Sequence, residues 1–266
     1  MNRIAIRFEQ LAKRREKAFI PFIVAGDPDL DCAAKIVIEL EHAGADVIEL
    51  GVPFSDPIAD GIVIQEAAQR ALEKGASLHA VIDSVGRMRQ HTQTPLLLFT
   101  YYNPVMAYGI EAFAADAARA GVDGVLCVDL PPEEAGEYKT RLDAHELATV
   151  FLVAPTSPDE RIALIAEQST GFIYYVSRTG VTGVRQDVEE TTRAMVAKIR
   201  KHSDKPVAVG FGVSTPDQAR EIAAYADGVI VGSAIVSLIG KLGGSADMPR
   251  RVGTFAKSLA DAVKGL

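Results

Sequence analysis

One acidic residue lies inside an apolar segment of this 266-residue chain. Glu49 follows Val47 and Ile48 and precedes Leu50, in a run that is typical of a buried strand. A carboxylate in such a strand is costly to bury and tends to hold its proton. A salt bridge to a neighbouring strand would be the purely structural explanation. The functional interpretation is a general acid–base that points into a site.

A second candidate acid lies in the loop that follows, residues 52–61, which contains two prolines and two aspartates. Pro53 and Pro57 remove backbone donors and stiffen the segment. The structural alternative is a solvated connector with capping aspartates, but the apolar Ile58 suggests a segment that docks on another surface. If the loop folds back, Asp60 and Glu49 share one site, where one carboxyl donates a proton while the other stays ionised.

Three glycine-bearing segments occur late in the chain, at residues 180–183, 210–212 and 232–233. Glycine lets backbone amides approach an anion closely, and the N-terminus of a helix favours negative charge. We expect a short helix over 234–238 and a hydroxyl contribution from Ser233. Together the three segments predict a phosphate site built from backbone amides.

The elements that must position these residues alternate along the chain. Eight short apolar runs are typical of parallel strands buried on both faces: 19–24, 46–51, 96–101, 124–128, 149–153, 172–176, 207–210 and 228–231. Amphipathic stretches such as 31–43, 111–120 and 158–168 predict helices between them. This order predicts an α/β fold, a (β/α)8 TIM barrel, with its site at the carboxyl ends of the strands.

We expect one domain over residues 1–266, with an extra N-terminal helix over 4–17 at the barrel bottom. The alternative is an open doubly wound sheet, whose Gly-rich turn after the first strand is not found here. Three similar corners, at 44–48, 121–125 and 225–229, each place an aspartate just before a predicted strand. The same helix-to-strand corner is therefore predicted to recur three times.

The composition limits the kind of partner. The chain has 28 basic and 35 acidic residues and a net charge of −7, which argues against a nucleic-acid-binding protein. Cys32 and Cys127 lie far apart without further ligands nearby, so neither a disulfide framework nor a metal site is expected. The sequence has no long uncharged apolar run and no signal-peptide pattern, so we expect no membrane association and a cytoplasmic location.

Apolar and aromatic side chains fall near the carboxyl ends of the predicted strands. They are either barrel core or the lining of a pocket for a flat apolar group. No lysine falls at a strand end, which disfavours a Schiff-base aldolase. The residues in question are Phe22, Tyr101, Leu126, Val128, Leu152, Tyr174 and Phe211.

Three segments resemble the signature segments of the tryptophan synthase alpha subunit family. They are PFIVAGDP at 21–28, ELGVPFSDPIADG at 49–61 and SRTGVTG at 177–183, and the similarity extends over essentially the whole chain. The resemblance implies a barrel that cleaves indole-3-glycerol phosphate to indole and glyceraldehyde 3-phosphate. It also implies that Glu49 is the acid–base, that Asp60 hydrogen-bonds the indole nitrogen, and that Tyr174 is an active-site tyrosine.

The same resemblance assigns further residues. Thr182 would meet Asp60 when the sixth loop closes. Phosphate would bind at Gly183, Gly212, Gly232 and Ser233, and the indole pocket would comprise Phe22, Tyr101, Leu126, Val128, Leu152 and Phe211. The family pairs with a beta subunit in an alpha2beta2 tetramer and passes indole to it. Pyridoxal phosphate (PLP) belongs to that partner, so no cofactor is expected in this chain, and residues 53–60 and the segment around 103–104 would face the partner.

Two other functions remain open on the sequence. A different phosphate-binding barrel, such as indoleglycerol-phosphate synthase or a sugar-phosphate epimerase, would be expected to carry strand-end lysines or metal ligands. A catalytically silent barrel that only binds and activates the beta subunit would have no need for both Glu49 and Asp60.

Overall fold

The computed structural model describes residues 2–177, 185–210 and 212–265. Within them, nine parallel strands form one sheet with the order β5-β4-β3-β2-β1-β9-β8-β7-β6. The strands are β1 Ala18–Val24, β2 Ile48–Gly51, β3 Leu96–Thr100, β4 Gly124–Cys127, β5 Ala148–Val150, β6 Leu152–Val153, β7 Ile173–Val176, β8 Val207–Gly210 and β9 Gly228–Val231. Each predicted apolar run overlaps an observed strand, and the outer ends differ by at most two residues.

The two edge strands of this sheet are adjacent in sequence. β5 pairs with β4, and β6 pairs with β7, while only the buried Phe151 separates β5 from β6. The sequence predicts one strand over 149–153, and the structure divides it at this residue. The sheet therefore curls into a nearly closed barrel in which β5 and β6 share the fifth position. This confirms the predicted (β/α)8 architecture.

Helices surround the strands and cover the bottom. They are α1 Arg3–Arg14, α2 Leu30–His42, α3 Ile62–Glu73, α4 Leu78–Met88, α5 Tyr102–Tyr108, α6 Ile110–Ala120, α7 Gly136–Ala144, α8 Asp159–Gln168, α9 Arg185–Ile199, α10 Pro216–Ala223, α11 Ser233–Leu242 and α12 Met248–Lys264. The predicted N-terminal helix is α1, although it ends three residues earlier than expected. The short helix expected over 234–238 is the longer α11.

The barrel interior is filled by alternate residues of the strands, since successive side chains of a strand point to opposite faces. Val47, Leu97, Leu126 and Tyr174 belong to one buried cluster inside the barrel. Glu49 lies two residues after Val47 and therefore points to the same interior.

The three predicted corners recur at the amino ends of β2, β4 and β9. Asp46, Asp123 and Asp227 each accept a hydrogen bond from a backbone amide in the first or second residue of the neighbouring strand. The donors are Phe19 at 2.9 Å, Leu96 at 2.8 Å and Val207 at 3.0 Å. Each aspartate thus links neighbouring strands at the barrel bottom.

Cations from both ends of the chain reach these carboxylates. Arg3 of α1 pairs with Asp123 at 2.9 Å, and Arg7 of α1 lies 3.6 Å from Asp46. Lys264 of α12 also reaches Asp46, at 3.3 Å. The N-terminal helix is therefore attached to the barrel bottom by charge as well as by its apolar face.

Candidate active site

Glu49 lies in the middle of β2, where its neighbours across the sheet are Phe22 of β1 and Leu97 of β3. Its side chain is fully buried, and neither carboxyl oxygen has a hydrogen-bond partner among the described residues. Burial without compensation favours the neutral form and raises the pKa of Glu49 to about 8. The group therefore carries its proton at neutral pH, as a general acid must.

Asp60 lies in the loop between β2 and α3, and it is held on the barrel mouth by Tyr101. The Tyr101 hydroxyl donates to the Asp60 carboxylate at 3.0 Å and accepts from the Ala59 amide at 3.0 Å. Burial raises the pKa of Asp60, and the hydrogen bond from Tyr101 lowers it. Burial has the larger effect, so the pKa of Asp60 is raised overall. Unlike Glu49, however, Asp60 has a donor that favours its ionised form.

Further contacts fix this loop. The Tyr101 ring packs against Phe54, with 5.1 Å between ring centroids. The Gln65 side-chain amide donates to the Asp60 carbonyl at 2.8 Å. The loop therefore folds back over the mouth, as the sequence predicts, and brings Asp60 to the edge of the barrel.

Tyr174 of β7 faces the same interior. Its phenol is buried, and burial, together with the charges of Glu49 and Asp60, raises its pKa well above the usual value. A Cβ added at Gly210, in the next strand, would lie 2.9 Å from the Tyr174 hydroxyl oxygen. Gly210 therefore leaves the space that the phenol occupies, a role distinct from binding an anion.

The apolar part of the site extends from the barrel interior to the loop. Phe22 and Phe99 are in edge-to-face contact, with 5.4 Å between ring centroids. Phe99 belongs to the barrel interior as well as to the cluster that contains Phe22. A small cavity between the strands and the loop is lined by Phe22, Val24, Gly51, Val52, Phe54, Asp60, Ile64, Ala68, Phe99 and Tyr101.

Several of these lining residues are missing from the sequence-based pocket. Phe99 follows Leu97 by two residues and so points inward, which the alternation of β3 could have revealed. Leu126, Val128 and Leu152 share the interior cluster with Tyr174 but do not line the small cavity.

The expected phosphate residues that the structure describes lie after two adjacent strands. Gly212 follows β8 and has a φ of +66°, while Gly232 follows β9 and caps α11. Ser233 is exposed and begins this helix, and the amides of its first turn lack intrahelical acceptors. The site residues Thr182, Gly183 and Phe211 lie outside the described residues.

The described residues contain neither a metal site, nor a disulfide, nor a membrane-spanning helix. No cluster of three or more His, Cys, Asp or Glu side chains with metal-binding geometry occurs there. Both cysteines are free thiols. None of the described helices combines the length and apolar character that crossing a membrane requires.

Comparison with known sequences identifies the family. The model of the tryptophan synthase alpha chain family matches residues 8–264. A tryptophan synthase alpha chain of Geotalea uraniireducens is 53% identical, with 100% of this chain and 99% of the relative covered. One of Geobacter sulfurreducens is 52% identical, with 99% of each chain covered.

Solved structures show the same similarity. Tryptophan synthase subunit alpha from Legionella pneumophila superposes with a TM-score of 0.93 at 37% identity, and all of both chains is covered. A chain of tryptophan synthase from M. tuberculosis has a TM-score of 0.88 at 36% identity, with 99% of each chain covered. Sequence and fold are thus similar to proteins of one kind over essentially the whole chain, and the chain belongs to the tryptophan synthase alpha chain family.

Proposed function

We propose that this chain catalyses the retro-aldol cleavage of indole-3-glycerol phosphate to indole and glyceraldehyde 3-phosphate. The observation that carries the proposal is the contrast between two carboxyls at one site. Glu49 is buried without a partner and holds a proton, while Asp60 accepts a hydrogen bond from Tyr101. Such a contrast lets one carboxyl donate a proton while the other stays ionised to stabilise positive charge.

The first step needs a proton at C3 of the indole ring, the carbon that bears the side chain. Glu49 donates this proton, and positive charge develops at the ring nitrogen. The Asp60 carboxylate accepts a hydrogen bond from that nitrogen and stabilises the charge. The ring thereby becomes able to accept an electron pair.

The second step breaks the bond between C3 and the side chain. The electron pair of that bond returns to the ring, while the adjacent hydroxyl loses its proton and becomes the aldehyde. The Glu49 carboxylate, having given up its own proton, accepts this one. Indole and glyceraldehyde 3-phosphate are released, and Glu49 is again protonated.

Binding is proposed to use both ends of the substrate. The indole ring would contact Phe22, Phe99, Leu126, Val128, Leu152 and Phe211, with Tyr101 and Tyr174 beside it. The phosphate would bind amides at Gly183, Gly212, Gly232 and Ser233, and Thr182 would meet Asp60 in the closed state. Backbone amides carry no formal charge, so a chain with a net charge of −7 can still hold an anion.

A beta subunit is proposed as the partner, in an alpha2beta2 tetramer whose PLP is held by the beta chain. Among the described residues, the exposed large hydrophobic side chains are Ile58, Ile62 and Met106. They lie in the Asp60 loop, at the start of α3 and in α5. Because Tyr101 joins this loop to the beginning of α5, the three side chains support a contact surface at the barrel mouth.

One assay tests this function. The purified chain is expected to form indoleglycerol phosphate slowly from indole and glyceraldehyde 3-phosphate, and faster when a beta subunit is added. If the chain activates the beta subunit but gives no product of its own, the silent barrel would be the correct alternative.

Two further expectations belong to this proposal. Residues 1–266 are proposed to form one domain, so limited proteolysis should release no stable fragment that folds alone. The chain is proposed to act in the cytoplasm, which cell fractionation followed by immunodetection would test.

A further inference from the structure

The turn after β1 contains a partly buried ion pair that the proposed mechanism does not use. Asp27 has only 2% of its surface exposed. Arg70 of α3 donates to both of its carboxylate oxygens, from Nε at 2.9 Å and from Nη2 at 2.7 Å. A bidentate pair of this kind fixes orientation as well as distance. The hydrogen bonds to Asp27 also raise the pKa of the Arg70 guanidinium.

Close packing on one side brings this turn against α3. Gly26 has a φ of +95°, and a Cβ added there would lie 2.8 Å from the Cβ of Ala76 and 3.3 Å from that of Ala71. The turn therefore cannot shift toward α3, and only glycine fits at this position.

Close packing on the other side brings α11 against the guanidinium. A Cβ added at Gly240 would lie 3.1 Å from Nη2 of Arg70. One hydrophobic cluster joins the same three elements, because Phe22 and Val24 of β1, Ala67 of α3 and Val236 of α11 belong to it. The three elements β1, α3 and α11 thus pack as one unit. Within it, Arg70 of α3 bonds Asp27 after β1 and lies beside Gly240 of α11.

These two helices begin at opposite ends of the proposed site. α3 begins two residues after Asp60, and α11 begins at Ser233. We infer that Arg70 is a positioning residue: paired with Asp27, it fixes the distance between Asp60 and the phosphate-binding start of α11. Arg70 itself contacts no reacting atom. This inference rests on the proposed function, because it concerns where the phosphate of that substrate lies relative to its ring.

Two substitutions disturb the unit in different ways. Arg70→Lys keeps the charge but removes the planar pair with Asp27. Gly240→Ala leaves every charge in place and presses a methyl group on the guanidinium. Arg220→Lys is the matched control, since Arg220 pairs with Asp217 at 2.8 Å on the exposed surface of α10.

The full chain is assayed in the synthesis direction, with indole and glyceraldehyde 3-phosphate varied separately. Both variants are expected to raise KM for glyceraldehyde 3-phosphate by about tenfold, because small displacements of bound groups have large kinetic effects. KM for indole, which has no phosphate, is expected to change less than about twofold. The control variant should match the wild type in both constants.

Two further measurements on each protein complete the test. Calorimetry gives the affinity for glyceraldehyde 3-phosphate, and the melting temperature shows whether the variant folds. If Arg70→Lys does not fold, Gly240→Ala decides, since alanine favours the helical conformation. Equal changes in the two KM values, or none, would overturn the inference. A wild-type chain that binds this phosphate without turnover contradicts the proposed function alone, and weaker binding by Gly240→Ala still supports the inference. A wild-type chain that neither binds glyceraldehyde 3-phosphate nor turns it over contradicts both the proposed function and the inference.

Discussion

The hydroxyl of Tyr101 bridges two consecutive residues of one loop: it accepts from the Ala59 amide and donates to the Asp60 carboxylate, each at 3.0 Å. The sequence assigns Tyr101 to the indole pocket. The structure adds a second role, since the hydroxyl fixes the orientation of Asp60 and stabilises its ionised form. A single oxygen thus connects the fold of the loop to the protonation of a candidate catalytic group.

Tyr101→Phe is expected to shift the acidic limb of the pH–rate profile upward. Its hydrogen bond lowers the pKa of Asp60, so its loss raises that pKa, and Asp60 becomes protonated at a higher pH. A hydrogen bond to a charged group contributes about 1.5 kcal/mol, which corresponds to about one pH unit. Profiles of kcat/KM from pH 5 to 9 would measure the shift. Tyr102→Phe is the control, and a profile that falls equally at every pH would contradict the assignment.

Glu49→Gln is expected to lower kcat by two or more orders of magnitude, because it removes the general acid. In the wild type the alkaline limb of the profile should lie near pH 8, where Glu49 loses its proton. Steady-state kinetics of both proteins measure the two effects. Full turnover by Glu49→Gln would show that another group supplies the proton.

The same substitution is expected to change how stability depends on pH. The pKa of Glu49 is about 8 in the folded chain against a usual 4.5, so folding takes up a proton between these values. The free energy of unfolding of the wild type therefore falls as pH rises through this window. Glu49→Gln should lose this part of the slope and be the more stable protein at pH 8. Urea denaturation at pH 5, 6.5 and 8 tests this, and identical slopes would mean that the folded Glu49 is already ionised.

Gly210→Ala is expected to reduce activity by about tenfold or more, since a misplaced group near the reacting atoms has effects of this size. The added methyl group would lie 2.9 Å from the Tyr174 hydroxyl oxygen and 3.1 Å from its ring, so the phenol must move. Gly86→Ala is the control, because a Cβ there meets nothing within 4 Å. Comparable kinetics of the two variants would show that the barrel absorbs the methyl group elsewhere.

Asp123→Ala is expected to destabilise the fold by about 3–5 kcal/mol, the usual cost of breaking a buried charge pair. Asp123 is 3% exposed, pairs with Arg3 and Arg89, and accepts from the Leu96 amide. Asp217→Ala removes an exposed pair instead and should cost less than about 1 kcal/mol. Urea denaturation measures both, and similar losses would contradict the importance of the barrel-bottom corner.

Local sequence patterns were sufficient for the barrel and for the inward position of Glu49. Consecutive apolar residues mark each strand, and alternation determines which side chains face the interior. The division of the fifth strand at Phe151 is not visible in this pattern, because both parts are apolar. The predicted pocket lacks Phe99, although its spacing from Leu97 places it on the interior face.

Contacts between distant segments could not be predicted in the same way. The link between Tyr101 and Asp60 depends on how a loop folds back over a strand end. The pair of Asp27 and Arg70 depends on two elements that only the closed barrel brings together. In the recurring corners the aspartate itself was evident, but its acceptance of a neighbouring strand's amide follows from the barrel register.

The ion pairs of Asp46 at the barrel bottom have a consequence for synthesis on the ribosome. Arg7, near the beginning of the chain, and Lys264, near its end, contact the same carboxylate of Asp46. A nascent chain can pair this carboxylate with both cations only after α12 has left the exit tunnel. The N-terminal helix, although made early, therefore shares its complete charge network only after α12 has emerged.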